Sequence, residues 1–149
     1  MKLYIGADHA GYKLKEKIKK HLEKKGFDVK DFGAHKFYKN DDYPDFILPV
    51  ARAVSDNNGV GIILGGSGQG EAIVANKIKG VRAVVYYGGQ TKIVELSKEH
   101  NNANIFSIGA RFVEEKEALR VIDLWLKTRF SEEKRHKRRL AKINKLGGR

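Results

Sequence analysis

The sequence predicts an α/β fold, a five-stranded parallel sheet between two layers of helices. Five short apolar, β-rich runs alternate with segments of helical spacing, the pattern of βαβ units joined by right-handed crossovers. Glycines and Asp/Asn clusters mark the stops between them. The chain of 149 residues suits one domain with a sizeable core. Together these define a Rossmann-like three-layer α/β/α sandwich, with residues 1–149 as a single domain.

The strands are expected over residues 2–7, 27–32, 60–64, 81–87 and 104–108. The first helix, 12–25, carries Leu14, Ile18 and Leu22 at i, i+4, i+8, one apolar stripe, and Gly26 follows as a stop. The second, 44–54, is ended by Asp56-Asn57-Asn58-Gly59. The third opens in a glycine loop and runs to Gly80. The fourth and fifth cover 90–99 and 115–127. A sixth spans about 132–146, with Ser131 as its N-cap and Glu132 and Glu133 at the positive end of its dipole.

The formal net charge is +12, which makes nucleic acid a first suspicion. Residues 129–149 hold nine Lys/Arg and two Glu, so +7 of the excess sits in the last helix and its flanks. No aromatic residue interleaves those charges within 134–149, which argues against a single-strand-binding surface. Lys13, Lys15, Lys17, Lys19 and Lys20 read as a solvated helix face. No apolar run approaches the roughly 18 residues that span a membrane. A strand so close to the N-terminus leaves no room for a signal peptide. The lack of cysteine excludes disulfides, zinc thiolate sites and thiol catalysis, and the cytoplasm is the expected location.

In such sheets ligands sit at the carboxyl ends of the strands. Asp8, His9 and Gly11 follow the first strand, residues 65–71 the third, 86–90 the fourth, and Gly109 and Arg111 the fifth. The stretch Gly65-Gly66-Ser67-Gly68-Gln69-Gly70-Glu71 is an anion cradle, because glycines admit close backbone approach and first-turn N–H groups face negative charge. It lacks Gly-Lys-Ser/Thr and GxGxxG spacing, and Gly11-Tyr12-Lys13 likewise fails as a P-loop, so ATP and NAD are set aside. Glu71 in the first helical turn is either a dipole-complementing acid or a base beside an oxyanion site. The dipole would lower its pKa and weaken it as a base. Asp8 is an N-cap or a site acid, and His100 a helix-end residue or an acid/base. Arg135 and Arg139, at i, i+4, share a face suited to one phosphate, or belong to a solvated basic tail.

Taken together, seven segments resemble the ribose-5-phosphate isomerase B family, which includes the galactose-6-phosphate isomerase subunits. They are Gly6-Ala7-Asp8-His9-Ala10-Gly11, Asp42-Tyr43-Pro44-Asp45, Gly66-Ser67-Gly68-Gln69-Gly70, Ala75-Asn76-Lys77, His100-Asn101-Asn102-Ala103-Asn104, Gly109-Ala110-Arg111 and Arg135-His136-Lys137-Arg138-Arg139. The resemblance implies interconversion of aldose and ketose phosphates, ribose 5-phosphate and ribulose 5-phosphate first, with a six-carbon sugar phosphate as the alternative. It implies no cofactor and no metal, and neither nucleic acid nor membrane as partner. His100 would assist opening of the sugar ring as general acid/base, with Asp8 helping to bind the sugar hydroxyls, and Ser67 and Asn101 would contact the O1/O2 edge. The amides around Gly66, Gly68 and Gly70 would hold a cis-enediolate. His9, Arg111, Arg135 and Arg139 would bind the phosphate, and Tyr43 would line the substrate site. Family sites lie at a subunit interface, so a homodimer or tetramer is expected, with the helix at about 131–146 packed on the partner. Many members place a cysteine base where this chain has Gly65; a second branch places a glutamate just after the loop, where Glu71 stands.

Overall fold

A computed structural model describes residues 1–146. The elements run β1 (Leu3–Ala7), α1 (Tyr12–Lys24), β2 (Val29–Asp31), α2 (Pro44–Asn57), β3 (Val60–Gly65), α3 (Gln69–Ala75), β4 (Ala83–Tyr86), α4 (Lys92–Glu99), β5 (Ile105–Gly109), α5 (Glu115–Lys127) and α6 (Lys134–Asn144). All paired strands are parallel, in the order β2-β1-β3-β5-β4. The expected sheet and all six helices are therefore present, as an α/β/α sandwich.

Strand periodicity divides the core into two layers. Leu3, Ile5, Ile62, Leu64, Phe106 and Ile108 face α1, α4 and α5, whereas Tyr4, Ile63 and Ile105 face α2 and α3. This is the period-two alternation of a sheet covered on both sides. In the first layer Trp125 is fully buried and stacks on Phe106, ring centroids 5.2 Å apart. Such a pair contributes roughly 0.5–1.5 kcal/mol beyond its buried area.

Three expectations are corrected. The third helix ends at Ala75 rather than Gly80. Asn76 turns away from helix continuation, its side chain donating to the Ala83 carbonyl and accepting the Ala83 N–H, so it pairs with β4 as a strand residue would. Lys15 is not on a solvated face. It is wholly buried, with Nζ 2.7 Å from Asp31 and 2.8 Å from Glu16, because β2 brings Asp31 under α1. Ser131 is not the N-cap of α6; that position is Glu133, and Ser131 Oγ accepts the Glu133 N–H from outside the helix.

Helix α6 is amphipathic but only thinly docked. His136 and Leu140 are its buried side chains, while Arg135, Lys137, Arg138 and Arg139 are exposed. No helix of the described residues is long and apolar enough to cross a membrane.

Candidate active site

Strand order reverses between β1, which pairs outward with β2, and β3, which leads to β5 and β4. The loops leaving these two strands diverge and open a crevice at the carboxyl edge. Asp8, His9, loop 65–71 and Arg111 all stand at that edge, where the sequence places them.

After β1, Asp8 is buried, and its Oδ1 accepts the N–H groups of Ala10 (3.0 Å) and Gly11 (3.2 Å). It thus does the capping work expected of an N-cap, although the cap position itself is Gly11. His9 is fixed twice by Asp41: its N–H donates to Asp41 Oδ1 at 3.1 Å, and its ring Nδ1 lies 2.6 Å from the same oxygen. Asp8, His9 and Asp41 offer ligand atoms within 4.8 Å of one another, the group among the described residues that could hold a metal ion. In the geometry present, His9 Nδ1 is engaged by Asp41.

After β3, the chain needs a left-handed turn to enter α3, and Gly68 provides it at φ +77°. Ser107 Oγ, buried inside β5, donates to the Gly68 carbonyl at 2.7 Å and pins the turn. Ser67 Oγ accepts the N–H of Gln69. The N–H of Gly70 has no acceptor among the described residues, as befits a first-turn amide. Tyr43 packs its ring against Gly70, and the Arg111 guanidinium lies over Gly66 while the Arg111 backbone N–H donates to the Gly66 carbonyl. Arg111 is thereby held beside the cradle.

Glu71 is 4% exposed, and its carboxyl occupies the space that a Cβ on residue 65 would take. Gly65 is what lets the acid turn inward. Burial pushes the Glu71 pKa above 4.5, its own N–H opposes, and the Asp8 charge adds to the rise. The expectation that the helix dipole would weaken this base is thus overturned, because desolvation is the larger effect.

His100 and Asn101 lie elsewhere. His100 caps the C-terminus of α4, five residues before β5, and the Asn101 carbonyl accepts from Arg82 Nε just before β4. Both are at the amino edge. Five-residue strands put the two edges roughly 16 Å apart at about 3.3 Å per residue. The His100 ring lies against that of His136, centroids 4.2 Å apart and tilted by 37°, so Arg135 and Arg139 of α6 belong to this second cluster. The expected site residues therefore form two groups at opposite ends of one sheet.

Sequence reasoning did not single out Asp41, Ser107 or His136. Ser107 carried a signal, as the one polar residue inside the apolar run Ile105-Phe106-Ser107-Ile108. Asp41 carried none, since its role depends on a loop closing over His9.

The glycine loop and the inward-turned Glu71 carboxyl mark this as an α/β protein with a buried acid at the carboxyl edge of its sheet. Comparison with known proteins sharpens this. Residues 3–143 match the Ribose/Galactose Isomerase family, and the chain belongs to it. It is 45% identical over 141 residues to ribose-5-phosphate isomerase B of Mycobacterium tuberculosis, covering 94% of this chain and 86% of that one. The Clostridium thermocellum ribose-5-phosphate isomerase B structure superposes with TM-score 0.92 at 44% identity, covering 98% of this chain and 97% of the other. The Mycoplasma genitalium enzyme, solved with bound ribulose-5-phosphate, superposes with TM-score 0.91 at 40% identity, covering 96% and 93%.

Proposed function

We propose that this chain is an aldose–ketose isomerase interconverting ribose 5-phosphate and ribulose 5-phosphate through a cis-enediolate, in a site completed by a second copy. The observation that carries the reading is the buried Glu71 carboxyl beside the glycine cradle, in a chain whose relatives bear this activity. His100 and Asp8 move a proton from the O1 hydroxyl to the ring oxygen, the C1–O4 bond breaks, and the aldehyde forms. Glu71 then takes the C2 proton. The electron pair moves through C1=C2 onto O1, where the cradle amides stabilise it. Ser67 passes the O2 proton to O1, Asn101 steadies both oxygens, and Glu71 returns its proton to C1. His9, Arg111, Arg135 and Arg139 hold the phosphate, and Tyr43 walls the sugar. The reaction is internally redox-balanced, so it requires no cofactor. A charged sugar phosphate does not cross a bilayer, which fits a cytoplasmic enzyme.

The separation of the two groups supports a shared site. One pentose phosphate cannot bridge roughly 16 Å of sheet. A two-fold axis perpendicular to the strands, alongside edge strand β4, would set the amino edge of one chain against the carboxyl edge of its partner. That flank exposes Ile73, Tyr87, Ile93 and Phe112, apolar surface of the kind that subunit interfaces cover. The isomerase reading is tested by assay of purified protein with ribose 5-phosphate. Turnover is expected, and binding without turnover would sink it. The shared site is tested by mixing two inactive variants, Glu71→Gln and His100→Asn. Random reassortment into dimers restores about a quarter of wild-type activity if each site draws on both chains. No recovery after verified subunit exchange would place the whole site in one chain.

A further inference from the structure

Helix α6 turns one polar ring inward where its neighbours point to solvent. His136 is 1% exposed, between the exposed Arg135 and Lys137. Its Nδ1 lies 2.8 Å from Ser131 Oγ, and its Nε2 has no hydrogen-bond partner among the described residues. If packing alone were at stake, an apolar side chain would avoid burying that orphan nitrogen. What the ring touches is informative: it lies against His100 at 4.2 Å and 37°. The same junction is tied by the Ser131 N–H, which donates to the carbonyl of Glu99, the residue before His100.

We infer that His136 is a positioning residue, a flat neutral plate that sets the plane of His100 for ring opening. The inference rests on the isomerase reading above. The ring stays neutral for physical reasons. A second ring proton would be buried without an acceptor, and the groups facing it are mostly cationic. Burial, with His100, Arg135 and Arg139, holds the His136 pKa below 6.5, and Glu133 alone opposes them. A neutral face lets His100 carry the transferred proton without meeting a like charge. The Ser131 hydrogen bond fixes the His136 ring, and the tilted ring contact fixes His100.

The test compares His136→Ala with His136→Phe, which keeps an aromatic face and discards the hydrogen bond. Two readouts separate positioning from mere docking of α6. One is turnover of ribose 5-phosphate, whose ring must be opened. The other is exchange of the C1 hydrogen of ribulose 5-phosphate with D2O, which requires the enediolate and no ring opening. His136→Ala is expected to lower kcat on ribose 5-phosphate by about tenfold or more, the scale of a misplaced catalytic group. Its C1 exchange should stay close to wild type, and His136→Phe should restore most of the loss. A rise in KM alone, or an equal fall in turnover and exchange, would mean that His136 only anchors the phosphate-binding arginines and would overturn the inference. So would failure of His136→Phe to recover. A third readout needs no catalysis. The ring protons of His100 should show a ring-current NMR shift that disappears in His136→Ala and persists in His136→Phe. Absence of that shift in the wild type defeats the ring contact even if the enzyme is active. Absence of activity with the shift intact defeats the isomerase reading instead.

Discussion

Gly65 and Glu71 act as one unit. The Glu71 carboxyl occupies the volume that any side chain at residue 65 would need, so a side-chain base at 65 and a carboxyl base from 71 exclude each other. Gly65→Ala is expected to expel the carboxyl and to reduce kcat about as far as Glu71→Gln does, while the fold persists. Removal of a general base costs roughly 10²–10⁴-fold in rate. The raised pKa has two consequences. In the proposed mechanism Glu71 must be ionised to take the proton, so the acid limb of the kcat/KM profile is expected above the ordinary value of 4.5, with activity lost as pH falls through it. A carboxyl whose folded pKa is raised favours folding below its unfolded value, and that contribution is lost as pH rises through the folded one. At neutral pH the buried carboxylate therefore opposes folding, and Glu71→Gln should raise Tm while removing turnover. An unchanged or lower Tm would show that the acid is well solvated.

At the level of elements, α1 is fastened to β2 by charge as well as by its apolar stripe. Lys15 is buried with Asp31, which also receives Lys19 and the N–H of Gly33. Burial pushes the Asp31 pKa up, but Lys15, the Gly33 N–H and Lys19 outweigh it and hold the carboxyl below 3.8. This contribution is present above the ordinary carboxylate value and is lost as pH falls through the lower folded one. Asp31→Ala strands a buried ammonium, with half-exposed Glu16 as its remaining partner. Removing one member of a buried pair costs about 3 kcal/mol or more, measurable by urea denaturation. Helix periodicity located α1 and its stripe but could not reveal Lys15, because the charge lies where only the neighbouring strand determines burial. Asn76 is similar. Its segment has helical composition throughout, and the helix stops because the side chain finds β4.

For the whole molecule, the arrangement of strands decides which groups can meet. Asp8, Glu71 and Arg111 come from three separate crossovers and converge because parallel strands end at one edge. His100, Asn101, Arg135 and Arg139 precede a strand or follow the last crossover, and they collect at the other edge. If two copies complete each site, activity per chain falls on dilution below the dimer dissociation constant and returns on concentration. A specific activity independent of concentration, in a protein shown to be monomeric by light scattering, would refute the shared site.

The sequence alone determined what is periodic or local. Alternating runs dictated the parallel sandwich, and the glycine run dictated the tight turn between β3 and α3, with Glu71 one residue past its last glycine. Those features depend on backbone preferences that act within a few residues. Only the tertiary structure decided which side chains are dry, and burial is a property of neighbours distant in the chain. It raised the pKa of Glu71 against the helix dipole, placed Lys15 in the interior, and brought Asp41 to His9 across 32 residues. It also divided one expected list of site residues between two ends of a sheet, a separation set by strand direction rather than by order along the chain.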